Sequence, residues 1–174
     1  MINHLMTGRY ILRQPCADDA ERIALLCNDY ELSKFTSRIP HPYTLADADA
    51  FIACSRKAWE NGEEQRFMIC RDDEVIGAVG LMTEGVGVFE LGIWIGAPDR
   101  GKGVASKVIP LIVEYAFSAL NARCVEAGFF RDNPASGRVL AKSGFRKTGE
   151  IAPTHSAARN VTVDAIRMQI SKPD

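Results

Sequence analysis

A chain of 174 residues, 47% apolar and 25% charged, has the size and composition of one compact domain and excludes the fibrous and disordered classes. Its formal net charge of -1 offers no long-range attraction to nucleic acid or an anionic membrane, so neither is expected as a direct partner. The five cysteines, Cys16, Cys27, Cys54, Cys70 and Cys124, are odd in number and never stand as C-x-x-C, and His4, His41 and His155 are far apart, so neither a disulfide framework nor a metal site is expected.

The opening MINHLMTGRYILRQP has no basic region followed by an apolar run, and no stretch reaches the roughly 18 apolar residues that span a bilayer. A cytoplasmic protein with a single domain over 1–174 is expected. Tyr10 to Arg13 reads as a short strand closed by Pro15, and Ala17 to Cys27 as a helix with Ala20, Ile23, Ala24 and Cys27 on one stripe. Ser37 to Thr44 contains Pro40, His41, Pro42 and Tyr43, a composition that breaks regular structure and suits a loop covering a site; His41 and Tyr43 are candidates to line it. A second helix is expected from Leu45 to Glu60.

Gln65 to Cys70 and Glu74 to Met82 are apolar runs joined by the polar turn Arg71-Asp72-Asp73, which predicts an antiparallel hairpin. Val88 to Ile95 alternates, with Phe89, Leu91, Ile93 and Ile95 on one face and Glu90, Gly92 and Trp94 on the other. After Ala97-Pro98-Asp99-Arg100-Gly101-Lys102-Gly103 comes an amphipathic helix, Val104 to Leu120, with Pro110 predicting a kink. Cys124 to Phe130, Arg146 to Ile151 and Val161 to Ile170 read as strands, and Pro134 to Ser143 as a short helix.

Strand, glycine-rich turn, helix is the arrangement that turns free backbone amides and a helix N-terminus toward an anion. Gly101 and Gly103 suit close approach of a phosphate, and Arg100 and Lys102 add positive charge. Gly96 to Lys102 nearly matches a Walker A loop, but Gly103 stands where the serine or threonine that ligates Mg²⁺ belongs. A dinucleotide fingerprint would need a third glycine where Ser106 stands. The pattern Arg or Gln, two residues, Gly, one residue, Gly or Ala is met at every fixed position by Arg100-Gly101-Lys102-Gly103-Val104-Ala105.

That loop resembles the pyrophosphate loop of the GNAT N-acetyltransferase superfamily. Arg9-Tyr10-Ile11-Leu12-Arg13, Leu91-Gly92-Ile93-Trp94-Ile95, and Asn133-Pro134-Ala135-Ser136-Gly137-Arg138-Val139-Leu140 with Gly144-Phe145 resemble, in order, segments of its RimJ/RimL-type branch, which acetylates ribosomal-protein N-termini. The resemblance implies an α+β, three-layer α/β/α fold with a mixed, mostly antiparallel sheet of six to seven strands and about four helices. It also implies that the fourth and fifth strands splay around acetyl-CoA. Pantetheine would pair with the backbone of Ile93, Trp94 and Ile95, and the pyrophosphate would lie on the amides from Gly101 to Ala105. Asn133 would reach pantetheine or a water.

Acetyl transfer needs a neutral amine, while a lysine-type amine, with a reference pKa of about 10.4, is mostly protonated at pH 7 and an α-amine, at about 7.7–8.0, much less so. Glu90 is the candidate base, beside the plainer reading of a solvated or salt-bridged strand glutamate. Many members of the superfamily carry a tyrosine seven residues after the second-motif asparagine to protonate the departing thiolate; Leu140 stands there, and Ser136 becomes the candidate donor. Asn133 followed by Pro134 is also a common helix start, and Trp94 suits core packing. The expected reaction is direct attack on acetyl-CoA by a primary amine in a ternary complex. The acceptor is a protein N-terminus, an antibiotic, a polyamine or another small amine, and the enzyme a monomer or homodimer. The rivals are a non-catalytic acyl-CoA-binding module and, less favoured, a P-loop nucleotide-binding enzyme.

Overall fold

A computed structural model describes residues 4–173, so positions 1–3 and 174, the ends of the expected domain, lie outside the described residues. In chain order the elements are β1 (His4–Thr7), β2 (Tyr10–Arg13), a 3-10 turn at Ala17–Asp19, α1 (Ala20–Cys27), α2 (Tyr30–Ser33) and α3 (Leu45–Asn61). The hairpin β3 (Glu64–Arg71) and β4 (Glu74–Gly85) follows, then β5 (Val88–Ile95), a second 3-10 turn at Ala97–Asp99 and α4 (Val104–Ala119). The chain ends with β6 (Cys124–Phe130), α5 (Pro134–Lys142), β7 (Arg146–Ser156) and β8 (Val161–Ser171).

The strands form one sheet in the order β1-β2-β3-β4-β5-β6-β8-β7. Among the described residues only β5 and β6 run parallel, joined through α4, and the other neighbours are antiparallel. Strand alternation sends Phe67 and Ile69 into a core shared with α4, and Met68 and Cys70 into a second core shared with α1 and α3. Helices therefore cover both faces, giving the expected α+β, three-layer arrangement.

The described residues hold eight strands and five helices against the expected six to seven and about four. The additional strand, β1, is a four-residue edge turned back through Gly8, with only alternate residues half-covered, too little apolar pattern to read from sequence. The additional helix, α2, is a single turn whose start is fixed by the Asp29 carboxylate accepting from the Glu31 amide. Strand β7 continues through Pro153 to Ser156, five residues past its expected end, because it is the outer strand and an edge tolerates a residue without an N–H. Helix α4 runs continuously through Pro110.

Helix α1 starts later than expected because Asp19 is committed elsewhere. Its buried carboxylate accepts from Arg13 Nη1 at 2.8 Å, Arg13 Nη2 at 2.7 Å and the Cys16 amide at 2.9 Å, stapling β2 to the turn before the helix. Burial alone would raise the Asp19 pKa, but the Arg13 guanidinium and the Cys16 amide outweigh it and hold it below the usual carboxylate value. A depressed folded pKa stabilises above the unfolded value of about 3.9 and is lost as the pH falls through the lower folded value. Asp19→Asn should therefore lower the melting temperature at pH 7, and the gap to the wild type should narrow as the pH falls below the unfolded carboxylate value. Melting curves across that range check it, and a gap independent of pH would remove the ion pair from the account.

Candidate acetyl-CoA and amine site

The site begins where two strands part. Parallel rungs join β5 to β6 from Val88–Cys124 to Leu91–Ala127 and then stop. Beyond that point Ile93, Trp94 and Ile95 pair only with Val79, Ala78 and Gly77 of β4, while Gly128, Phe129 and Phe130 pair only with β8. A wedge thus opens between the C-terminal halves of adjacent parallel strands, and the backbone of Ile93 to Ile95 faces it. This is the splay expected of the fourth and fifth strands, which become β5 and β6 once the additional β1 is counted. Gly137 helps to shape its far side, because a Cβ there would stand 2.5 Å from the Phe129 ring and push α5 off β6.

At the end of β5 the chain turns sharply. A Cβ on Gly96 would meet Leu26 at 2.7 Å, so glycine lets the strand end against α1. Gly101 and Gly103 take φ of 74° and 75°, a region that side chains disfavour, and a Cβ at either would meet no protein atom within 4 Å. Among the described residues, no carbonyl or side chain accepts from the amides of Gly101, Lys102, Gly103, Val104 or Ala105. Bare amides, open space above the glycines and the start of a 16-residue helix together fit a diphosphate.

The charged side chains of this loop do more than offer charge. The Arg100 guanidinium donates to the Ile95 carbonyl through Nε at 3.0 Å and pairs with Asp29 at the start of α2. Lys102 Nζ lies 3.6 Å from Asp99, whose carboxylate is only 3% exposed and pairs with Arg71 of β3. In the sequence Asp99 is part of a loop and Arg71 opens a turn. Their pairing, which no local pattern announces, anchors the loop to the sheet.

The second motif places Asn133 at the start of α5, where its Oδ1 accepts from the Ser136 amide at 3.3 Å and its own amide donates to the Phe130 carbonyl at 2.7 Å. Asn133 is thus a helix cap at the tip of β6, beside the wedge, with half-buried Ser136 in the first turn of the helix. Leu140 is packed into the core with Phe145 and Met168, so no hydroxyl is supplied from that position.

On the opposite face of the sheet, the side of α1 and α3, Glu90 stands directly across from Glu126 in the rung before the last. Arg167 of β8 pairs with Glu90 and bonds Glu126 at 3.2 Å. In the sequence Glu90 stands out alone, and the one signal of Arg167 is a cation inside the largely apolar run Ala165 to Ile170. Trp94 shares this face but packs against the second core, and Tyr43 is buried in that core, which drives its phenol pKa up. His41 lies on the loop, edge-on to the Tyr30 ring at 5.5 Å. No helix among the described residues is long and apolar enough to cross a membrane.

A family model described as an acetyltransferase (GNAT) domain matches residues 9–146. The chain is 33% identical over 149 residues to the Bacillus subtilis (strain 168) protein named uncharacterized N-acetyltransferase YoaA, covering 83% of this chain and 84% of that one. Among solved structures, it superposes with a TM-score of 0.84 on the microcin C7 self immunity acetyltransferase MccE in complex with acetyl-CoA and AMP, at 20% identity over 95% of this chain and 94% of that one. Mycobacterium smegmatis RimJ in complex with CoA-disulfide gives a TM-score of 0.83 at 20% identity, over 93% of this chain and 81% of that one.

Proposed function

Because the chain belongs to the GNAT acetyltransferases and is an acetyl-CoA-dependent N-acetyltransferase, we propose that it acetylates a primary amine by direct attack in a ternary complex at the β5/β6 splay. The observation that carries this reading is the end of parallel pairing at Leu91–Ala127, one step past Glu90 and on the same strand that leads into the amide-lined loop. The amides of Gly101 to Ala105 hold the diphosphate, with Arg100 and Lys102 supporting the loop, and the backbone of Ile93, Trp94 and Ile95 takes the pantetheine. Asn133 orders the tip of β6 beside it. Both solved relatives named above were captured with acetyl-CoA or a CoA derivative, which supports this placement.

Glu90 takes the proton from the acceptor nitrogen, directly or through water, and the freed lone pair attacks the thioester carbonyl carbon. As the tetrahedral adduct collapses, the C–S bond breaks and the thiolate leaves, receiving a proton from the Ser136 hydroxyl. Ser136, in the first turn of α5, takes the part of the missing tyrosine, since Leu140 is apolar and buried. The proton count closes when the adduct nitrogen, cationic after the attack, sheds its second proton to Ser136 through solvent and Glu90 releases the first to bulk water.

Protein N-terminal amines are the first acceptor class. An α-amine, with a reference pKa of about 7.7–8.0, asks less of a single carboxylate than a lysine-type amine at about 10.4. The five cysteines are free thiols, which supports a cytoplasmic setting. Purified protein mixed with acetyl-CoA and a panel of N-terminal peptides, aminoglycosides and polyamines is expected to free CoA above the rate without enzyme, fastest with a peptide. Release at the blank rate with every amine would leave an acyl-CoA-binding module instead.

A further inference from the structure

Two carboxylates face each other where the wedge begins. Glu90 and Glu126 are partners across the parallel pair, an arrangement that repels when both are ionised. Arg167 reaches in from the neighbouring strand and answers both, one terminal nitrogen to Glu90 Oε1 and the other to Glu126 Oε2. Its path crosses Gly128, the first β6 residue beyond the last rung, where a Cβ would stand 3.0 Å from Nη1, 3.7 Å from Cδ and 3.9 Å from Cζ. A side chain at Gly128 would press on the guanidinium, which would have to give by a few tenths of an ångström. Gly92, the corresponding residue of β5, has nothing within 4 Å of its Cβ position, so the step beside Glu90 is open.

The three side chains are between 19% and 35% exposed, covered enough to hold a geometry and open enough to be reached. Burial by itself would lower the Arg167 pKa, yet its bonds to Glu90 and Glu126 raise it, so it is a permanent cation. Together the three groups carry one surplus negative charge, the complement of one ammonium.

We propose that Arg167 is the positioning residue of Glu90: its guanidinium aims the carboxylate at the open step beside Gly92, and Glu126 keeps the guanidinium when the acceptor ammonium reaches Glu90. This rests on the base role given to Glu90 above. Without Arg167, Glu90 and Glu126 repel and the carboxylate swings out of line. Without Glu126, the guanidinium would stay on Glu90 and compete with the acceptor. When the nitrogen gives up its proton, Glu90 becomes a neutral carboxyl and Arg167 remains paired with Glu126, so no unpaired charge is left at the mouth.

The test is a cycle of Arg167→Met, Glu90→Gln and the double variant, with Arg167→Lys beside them, assayed on the best amine found by the screen. Arg167→Met is expected to lower kcat roughly 10- to 100-fold while leaving acetyl-CoA affinity unchanged, because displacing a reacting group by about an ångström costs on that order. Arg167→Lys should recover part of the loss, and the double variant should be no slower than Glu90→Gln alone. A purely structural Arg167 would instead give losses that multiply. If Arg167→Met is unfolded at the assay temperature, Arg167→Lys takes its place, and its smaller loss should likewise vanish in the Glu90→Gln background.

Wild-type kcat in Arg167→Met, or multiplying losses, overturns the proposal while leaving acetyl transfer at this site intact. An unaffected Glu90→Gln overturns the base role and this proposal together. Wild-type protein that frees no CoA with any amine defeats the catalytic reading on which both stand.

Discussion

Gly103→Val protein is expected to fold and to bind acetyl-CoA at least ~100-fold more weakly, the loss of about 2.7 kcal/mol. Gly103 sits at φ 75° and ψ 13° immediately before α4, and a β-branched residue in that region costs about 1–3 kcal/mol of backbone strain or forces the turn to rearrange. No protein atom lies within 4 Å of the added Cβ, so the core is untouched and the damage is local. The valine methyls would stand over the bare amides from Gly101 to Ala105, where the diphosphate is placed. Losing even two charge-assisted bonds, each worth about 1.5–3 kcal/mol, is enough for the stated drop. Calorimetry with acetyl-CoA measures it directly, with the melting curve as the control for folding. Wild-type affinity in a folded Gly103→Val protein would move the diphosphate elsewhere and dissolve the loop assignment.

That loop was legible in the sequence because its chemistry is local. Two glycines one residue apart, a basic residue before each, a strand ahead and an amphipathic helix behind all lie within Val88 to Ala119, and the structure joins them in that order. The wedge beside the loop depends instead on where β5 and β6 stop pairing. Residues as distant as Leu91 and Ala127 decide that, together with the approach of Gly137 to Phe129, and no periodicity reports it. The Asp99–Arg71 anchor and the Arg167 bridge were invisible for the same reason, since each joins separate elements through a charge that looks solvated in its own segment. Strand β7 shows the opposite failure: expected from Arg146 to Ile151, it runs on to Ser156, and only its place at the sheet edge explains why Pro153 is tolerated.

Glu90→Gln is the substitution with the largest expected effect on turnover. Glutamine keeps the shape and an oxygen that accepts from Arg167, so the cluster at the wedge survives, while the charge and the proton acceptor are gone. Acetyl-CoA affinity should be unchanged, because Glu90 lies on the α1 and α3 face and the diphosphate loop begins beyond the end of β5. At pH 7, kcat should fall by about 10-fold for an α-amine, of which roughly a tenth is already neutral, and by about 10²- to 10⁴-fold for a lysine-type amine. The deficit is expected to shrink as the pH rises, since solvent then supplies the neutral amine that Glu90 supplied before. For an α-amine, half-deprotonated at about pH 7.7–8.0, most of the need for a base is gone by about pH 9; for a lysine-type amine at about 10.4 it persists. The pH dependence of the ratio of wild-type to variant kcat therefore reports the acceptor class as well as the role of Glu90. A ratio of one at pH 7 would leave Glu90 as a structural partner of Arg167 and require the proton to leave by another route.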